Sequence, residues 1–272
     1  MYEYWFLLRC SKFYLKFSSI SFKRDQFKLI TLNIKFTSLD LIFFSMNNLD
    51  SLRATKSSYD IKRKLMILGC EGHSKVATDI AESVGFHNIC YEDPYRENNT
   101  FLNRKVYKSI KENYKDYYFV AIGDNFLREK VSRQFSIDNK EAELLSLIHP
   151  SSIISSKCSI GIGTIIMPLC AINSYSKLGN GVIINTNSII EHDAHLMDFS
   201  SLAPGVTIGG YVSIGKRSAV SIGASVIHNI NIGNDVVVGA SSLVMKDIGD
   251  NQVAYGLPAK CIRERKAGEK YL

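Results

Sequence analysis

The chain has 272 residues, of which 46% are hydrophobic and 22% are charged, a composition typical of a folded protein with one large or two small domains. Its net charge of +7 does not indicate a nucleic-acid-binding surface: twelve of the 33 Lys/Arg and five of the 26 Asp/Glu fall within residues 1–64, which leaves 21 of each sign in residues 65–272. Six scattered cysteines without a CxxC pair, and the lack of an apolar run of 18 residues, favour a cytoplasmic protein with reduced thiols and no stable membrane insertion.

Residues 1–60 differ from the rest of the chain, since they are rich in aromatic and basic residues, contain no Gly or Pro and follow no sustained period. One interpretation is a basic, aromatic arm that binds a membrane surface. The other is an extension outside the fold, produced by a translation start assigned too far upstream, with Met46 as the true start. We favour the extension, because the elements predicted for the remaining residues form a complete protein without it.

Strands and helices alternate between residues 61 and 147, which predicts a small, Rossmann-like parallel α/β sheet. An apolar strand at residues 65–68 runs into a glycine-rich turn, Gly69 to Gly72, and apolar residues then recur at helical spacing as far as Val84. Such a turn could hold a phosphate or could simply connect strand and helix, and it matches neither GxGxxG nor a Walker loop. Further strands are predicted at residues 87–91, 117–122 and 144–148, and a helix through Arg133.

A six-residue period dominates residues 148–250. From Ile154 to Val244, every sixth residue is Ile, Leu or Val, sixteen in succession without an insertion. The residue four positions after each of these is small or aliphatic and never charged. The pattern predicts a parallel β-helix: each hexad is one short strand and one turn, three hexads form an 18-residue coil, and the coils stack about 4.8 Å apart. The period does not set the handedness of the coils.

The polar segment of residues 185–195 interrupts this pattern and brings two histidines and two carboxylates into one turn. His192 lies two residues after an inward-facing aliphatic residue, so we expect it at a corner of the prism with its side chain outward. A neutral imidazole beside a carboxylate is a suitable general base near pH 7. The alternative is a solvated turn with incidental charges.

A metal site is the other chemistry that these histidines could support. His192 and His228 are 36 residues apart, which places them on the same edge two coils apart. Two coils separate them by about 9–10 Å, too far for both to bind one tetrahedral ion within a chain. We therefore predict no metal.

Five segments together resemble the family of bacterial sialic acid O-acetyltransferases and nucleotide-sugar N-acetyltransferases: LMILGCEGHSKVATDI, VAIGDNFLRE, LIHPSSIIS, INTNSIIEHDAHLMDFSSLAPG and VAYGLPAKCIRE. The resemblance covers residues 64–265. It implies a Rossmann-like domain (61–147), a left-handed β-helix (148–250), a C-terminal segment (251–272) near coenzyme A, and a homotrimer. It also implies direct acetyl transfer from acetyl-CoA to a sugar or nucleotide-sugar acceptor.

The resemblance also implies roles for individual residues. His192 would be the general base, and Glu191 or Asp193 the adjacent acid. The substrate-binding residues would be Gly69, Gly72, His73, Asp93 and Asn185, with Asn125 and Arg128 as weaker candidates. The residues near acetyl-CoA would be Ser201, Ala203, Gly205, Gly210, Gly223, Ala240, Gly256 and Pro258.

The sequence departs from the family pattern at two positions. Ser201 stands where many of the N-acetyltransferases carry a second histidine, which favours O-acetylation, and Glu71 stands where relatives often have Gly, so that its carboxylate would repel a phosphate. The sequence therefore supports O-acetylation of a sialic acid and N-acetylation of a nucleotide-linked 4-amino-4,6-dideoxy sugar about equally. The alternatives from other classes are a metal site like that of γ-carbonic anhydrases and a non-catalytic trimeric scaffold.

Overall fold

The computed structural model describes residues 59–109, 113–266 and 268–270. The prediction for residues 1–60 lies outside these residues, apart from Tyr59 and Asp60. The Tyr59 ring packs against Phe86, and its hydroxyl donates a hydrogen bond of 3.3 Å to the carbonyl of Ser146. The last residues of the predicted extension therefore contact the first domain.

The first domain is a six-stranded sheet with a helix on each face. Its sheet has the order β3-β4-β2-β1-β5-β6, and all neighbours are parallel except β3 and β4. In chain order the elements are β1 (Leu65–Leu68), α1 (Gly72–Ser83), β2 (Ile89–Glu92), β3 (Thr100–Phe101), β4 (Arg104–Tyr107), β5 (Tyr117–Val120), α2 (Asn125–Asp138) and β6 (Glu143–Leu144).

The side chains of β1 alternate between the two faces of the sheet. Leu65 and Ile67 pack in a buried cluster with Ile80 of α1. Met66 belongs to a separate cluster with Phe135 of α2. The apolar residues of the strand thus position the two helices on opposite faces and confirm the predicted α/β arrangement.

The hairpin of β3 and β4 was not predicted from the sequence. Leu102 and Asn103 form its turn, and both have positive φ angles, 47° and 58°. Positive φ at both central residues is the geometry of a type I′ turn, which usually contains Asn-Gly or Asp-Gly. Leu-Asn lacks that signature, so the sequence carries no local signal for this hairpin.

The second domain is a prism of two-residue strands wound in coils. The strands form three parallel sheets, which we call face 1 (β7, β10, β13, β16, β19, β22), face 2 (β8, β11, β14, β17, β20, β23) and face 3 (β9, β12, β15, β18, β21). The strands are β7 (Leu147–Ile148), β8 (Ile153–Ile154), β9 (Ser159–Ile160), β10 (Ile165–Ile166), β11 (Ala171–Ile172), β12 (Lys177–Leu178), β13 (Ile183–Ile184), β14 (Ile189–Ile190), β15 (His195–Leu196), β16 (Ser201–Leu202), β17 (Thr207–Ile208), β18 (Ser213–Ile214), β19 (Ala219–Val220), β20 (Ser225–Val226), β21 (Asn231–Ile232), β22 (Val237–Val238) and β23 (Leu243–Val244).

The register of the prism follows the predicted 18-residue coil. Ile166 pairs with Ile184, which pairs with Leu202 in the next coil. The aliphatic hexad residues form one continuous core, and the serines and threonines four positions later are buried with their hydroxyls satisfied. Thr164 Oγ1, for example, donates to the carbonyl of Gly179 at 3.0 Å. The six-residue period thus predicted both the core and its corners.

The predicted strand at residues 144–148 is in fact two strands in two sheets. Leu144 in β6 pairs with β5 of the first domain, whereas Leu147 in β7 pairs with β10 of the prism. Between them, Ser146 Oγ donates to the carbonyl of Gly161 at 3.1 Å. A continuous apolar run carries no signal for such a change of partner.

Face 1 continues past β22 into β24 (Gln252–Gly256), which forms an antiparallel hairpin with β25 (Ala259–Glu264). The turn contains a cis peptide bond between Leu257 and Pro258. In the part of the chain that the structure describes, no helix is long and apolar enough to cross a membrane.

Candidate active site

His192 lies on the edge of the prism between faces 2 and 3, in the turn that joins β14 to β15. Asp193 has a φ of 57°, the left-handed conformation that allows so tight a turn, and its N–H donates to the carbonyl of Ser174 in the preceding coil. His192 Nδ1 lies 2.9 Å from Asp193 Oδ2. The side chain of His192 is 53% exposed, so the imidazole is oriented by a carboxylate and remains open to a ligand.

Two carboxylates adjoin His192 in the sequence, and the structure distinguishes them. Glu191 Oε2 accepts a hydrogen bond of 2.9 Å from Asn173 Nδ2, one coil away. Asp193 is the residue whose carboxylate contacts the imidazole. Of the two acids that the sequence left open, Asp193 therefore has the geometry of the orienting partner.

The next coil leaves a space beside His192. A Cβ atom at Gly210 would lie 2.7 Å from His192 Cε1, so only glycine leaves room for the imidazole in this position. The N–H of Gly210 donates to no acceptor among the described residues, although its carbonyl accepts from the N–H of Asn229. The turns of these two successive coils thus present an imidazole and an unused backbone donor on the same edge of the prism.

The other residues predicted to lie near acetyl-CoA are not on the edge of the prism that carries His192. Ala203, Gly205 and Gly223 follow strands of face 1 and lie on the edge between faces 1 and 2. Asn185 and Ala240 belong to the same edge, while Gly256 and Pro258 lie in the C-terminal hairpin. Within one chain, face 2 separates this edge from His192.

Asn125 and Ser201 meet in the junction between the two domains. Asn125 is 2% exposed and donates through Nδ2 to Ser201 Oγ at 3.0 Å and to the carbonyl of Arg217. Arg128 is equally buried and bonded to carbonyls on both sides of the junction. These placements do not support a ligand-binding role for Asn125, Arg128 or Ser201, because their polar groups already pair with the protein.

The glycine-rich turn joins β1 to α1. Gly69 has a φ of 106°, and its carbonyl accepts from Ser74 Oγ at 2.8 Å. Glu71, in the N-cap position, makes no side-chain capping bond, and a Cβ at Gly72 would meet no heavy atom within 4 Å. The first turn of α1 thus offers backbone N–H groups in an open position, an arrangement that suits a phosphate.

A cavity of about 270 Å³ lies beside this turn, at the carboxyl ends of β1 and β2. Asp93 Oδ1 accepts from the N–H of Tyr95 at 3.0 Å, and Arg96 Nη1 donates to the carbonyl of Cys70. Ligands in open α/β sheets bind at the carboxyl ends of the strands, a rule that could have pointed to the segment after Asp93. The lining residues are Glu71, Asp93, Tyr95, Arg96, Glu97 and Asn98.

His73, in the first turn of α1, has a buried Nε2 atom with no hydrogen-bond partner among the described residues. Burial, aided by the nearby charge of Arg128, lowers the pKa of His73 from 6.5 to about 4. The folded protein therefore keeps this imidazole neutral at physiological pH.

This shift predicts a pH-dependent stability. Below pH 6.5, His73 binds a proton in the unfolded chain but stays neutral in the folded chain. The free energy of unfolding should therefore fall by about 3 kcal/mol as the pH decreases to about 4. Urea unfolding of the His73→Gln variant should lack this part of the pH dependence, whereas exposed His87→Gln should retain it. Equal pH dependence in wild type and His73→Gln would contradict the assignment.

The chain is similar to known acetyltransferases in both sequence and fold. Residues 64–135 match the PglD N-terminal domain family. The chain is 30% identical to PerB from Caulobacter crescentus, solved in complex with CoA and GDP-perosamine, with a TM-score of 0.66 over 74% of this chain and 97% of that one. It is 28% identical to the acetyltransferase domain of PglB from Neisseria gonorrhoeae, solved with acetyl coenzyme A, with a TM-score of 0.67 over 74% and 99% of the two chains.

Matches to curated proteins are shorter. GDP-perosamine N-acetyltransferase of Escherichia coli O157:H7 is 29% identical over 126 residues, 46% of this chain and 56% of that protein. A serine acetyltransferase of Buchnera aphidicola is 30% identical over 156 residues, 54% of this chain and 48% of that protein. The chain thus aligns with about half the length of these curated relatives.

The stacked hexad coils and the likeness to these enzymes define the chain as an acetyltransferase of the hexapeptide-repeat class. The small α/β domain before the prism narrows the class further. The chain belongs to the PglD-type family of nucleotide-sugar N-acetyltransferases.

Proposed function

We propose that this protein transfers the acetyl group of acetyl-CoA to the amine of a nucleotide-linked amino sugar. The observation that carries the proposal is the His192–Asp193 pair beside the free N–H of Gly210, in a chain that aligns with 97% of a perosamine N-acetyltransferase from Caulobacter crescentus. The similarity to perosamine N-acetyltransferases supports N-acetylation over O-acetylation of a sialic acid. Ser201 is then no obstacle, because its hydroxyl serves the domain junction.

Acetyl-CoA supplies an acetyl group activated as a thioester. Asp193 keeps the proton of His192 on Nδ1, so that Nε2 is free to accept one. Nε2 takes the proton from the acceptor amine as its nitrogen bonds to the carbonyl carbon, and the same imidazolium can return it to the departing sulfur as the carbon–sulfur bond breaks. No covalent enzyme intermediate is required.

A backbone N–H must stabilise the negative charge that develops on the carbonyl oxygen. The N–H of Ala203 donates to Val220 O, and that of Gly205 to Thr186 O, so both are used within the prism. Gly210 has a free N–H and lies against the His192 ring. We therefore assign the oxyanion donor to Gly210.

A homotrimer of left-handed prisms would complete the site. The two edges that carry His192 and the Ala203–Gly223 group are separated by face 2 within one chain, and a neighbouring prism against face 2 would bring one edge of each chain together. The outward residues of face 2 include apolar Ile153, with Leu169 and Ile222 exposed on the adjoining edge. Acetyl-CoA would then lie between two prisms, close to Gly256 and Pro258 of the hairpin.

The nucleotide of the acceptor would bind at the first turn of α1. The uncapped helix terminus and the open Gly72 position support this placement for the phosphates. The adjoining cavity, with the carboxylates of Glu71, Asp93 and Glu97, would instead take the hydroxyl and amino groups of the nucleotide. His73 and Gly69 would shape the floor of the site. Because acetyl-CoA is the acetyl donor, we place the reaction in the cytoplasm.

The test is thiol release from acetyl-CoA by the purified protein with a panel of acceptors: GDP- and UDP-linked 4-amino-4,6-dideoxyhexoses, free sialic acid and CMP-sialic acid. We expect turnover with an amino sugar. Turnover with sialic acid alone would contradict N-acetylation. Silence across the panel, with no CoA binding by calorimetry, would contradict acetyl transfer altogether and favour a scaffold.

A further inference from the structure

We propose that Tyr211 is a positioning residue that fixes the orientation of the His192 imidazole, an inference that rests on the proposed function. The ring centroids of Tyr211 and His192 lie 5.2 Å apart with an interplanar angle of 87°, an edge-to-face contact. The N–H of Tyr211 also donates to the carbonyl of His192 at 3.1 Å, which joins the two turns.

The hydrogen bond to Asp193 does not by itself define the plane of the imidazole. Its side chain is 53% exposed, and the hydrogen bond to Asp193 is its one hydrogen bond among the described residues. One bond at Nδ1 fixes a point of the ring, not its plane. Because Gly210 has no side chain, the imidazole packs directly against the backbone of the next coil. The Tyr211 ring, on that same coil, contacts the imidazole from a second direction. Together they fix the plane of the ring, which must be fixed for Nε2 to face the acceptor in the proposed reaction.

The aromatic contact has a chemical role as well as a steric one. Edge-to-face pairs with centroids 4.5–7 Å apart are attractive. This attraction holds the imidazole ring against Tyr211. The phenol hydroxyl takes no part in either effect, so phenylalanine should replace tyrosine without loss.

Tyr175 provides a matched control on the same edge. It occupies the equivalent hexad position two coils before Tyr211, with a φ of 64° against 60° and an exposed fraction of 60% against 58%. Among the described residues, no ring contact joins Tyr175 to His192. Replacing either tyrosine by alanine removes a similar exposed surface from the same kind of turn. The Tyr211 replacement also removes the ring contact with the His192 imidazole.

The kinetic test compares Tyr211→Ala, Tyr211→Phe and Tyr175→Ala with the wild type. We expect Tyr211→Ala to lower kcat about three- to tenfold, the range of an aromatic pair contact, with KM for both substrates nearly unchanged. Tyr211→Phe and Tyr175→Ala should keep the wild-type kcat. An unchanged kcat in Tyr211→Ala, an equal loss in Tyr175→Ala, or failure of phenylalanine to restore the rate would overturn the proposal.

A second measurement does not depend on activity. The ¹⁵N NMR shifts of the His192 ring should report one tautomer, protonated at Nδ1, in wild type and Tyr211→Phe, and averaged shifts in Tyr211→Ala. Identical shifts in all variants would overturn the positioning role. If the wild type transfers no acetyl group to any acceptor, the proposed function fails, and the NMR comparison still decides whether Tyr211 orders His192.

Discussion

Replacing His192 by alanine should lower kcat by about 10²–10⁴-fold, the usual contribution of a general base. The variant removes an imidazole that Asp193 orients at Nδ1 and that is open to a ligand at its other nitrogen. Binding of acetyl-CoA should persist, since the backbone of the prism does not depend on this exposed side chain. Steady-state thiol release and calorimetry with CoA measure the two effects.

His195 supplies the control for this variant. It lies three residues further on, is also exposed, and belongs to face 3. His195→Ala should keep the wild-type kcat. A His192→Ala enzyme that turns over at nearly the wild-type rate would show that another group takes the proton, and the assignment of the base would fail.

Arg128→Met should cost about 3–5 kcal/mol of the free energy of unfolding, because it leaves several buried acceptors without a donor, at about 1–3 kcal/mol each. Arg128 is 1% exposed and donates to the carbonyls of Gly181 and Phe199 in the prism and of Ile122 in the first domain. Methionine fills a similar volume but donates nothing, so these buried carbonyls lose their partner. Urea unfolding at fixed protein concentration measures the loss.

Arg133→Met on the same helix is the matched control. The side chain of Arg133 is 66% exposed, and its i,i+4 ion pair with Glu129 should contribute about 0.5 kcal/mol. A loss in Arg128→Met as small as that in Arg133→Met would mean that the junction between the domains does not depend on the buried guanidinium.

The ionic contacts around Glu129 extend this junction. Its carboxylate contacts Lys216 and Arg217 in the prism, and Arg217 also pairs with Asp235 one coil further on. Burial alone would raise the pKa of Glu129, but the hydrogen bonds from Lys216 and Arg217 outweigh it and lower the pKa. The charge therefore remains on Glu129 at neutral pH and ties α2 to the prism.

The sequence by itself determined the parts of this protein whose signal is local and repeated. Each hexad between Ile154 and Val244 places one aliphatic residue inward, because a two-residue strand and a tight turn repeat their geometry in every coil. The strand–turn–helix unit from Leu65 to Ser83 followed from the change of apolar period at Gly69. His192 became the candidate for the general base because its turn interrupts the repeat with two histidines and two carboxylates.

Only the tertiary structure decided which distant groups meet. It paired Asp193, not Glu191, with the imidazole, because Asn173 in the preceding coil holds Glu191. It joined Asn125 to Ser201 across 76 residues and removed both from the surface. It also divided the apolar run at residues 144–148 between two sheets. These contacts depend on how successive coils stack and on how α2 packs against the prism turns at Gly181 and Phe199. Packing between elements far apart in the chain leaves no periodic trace in the sequence.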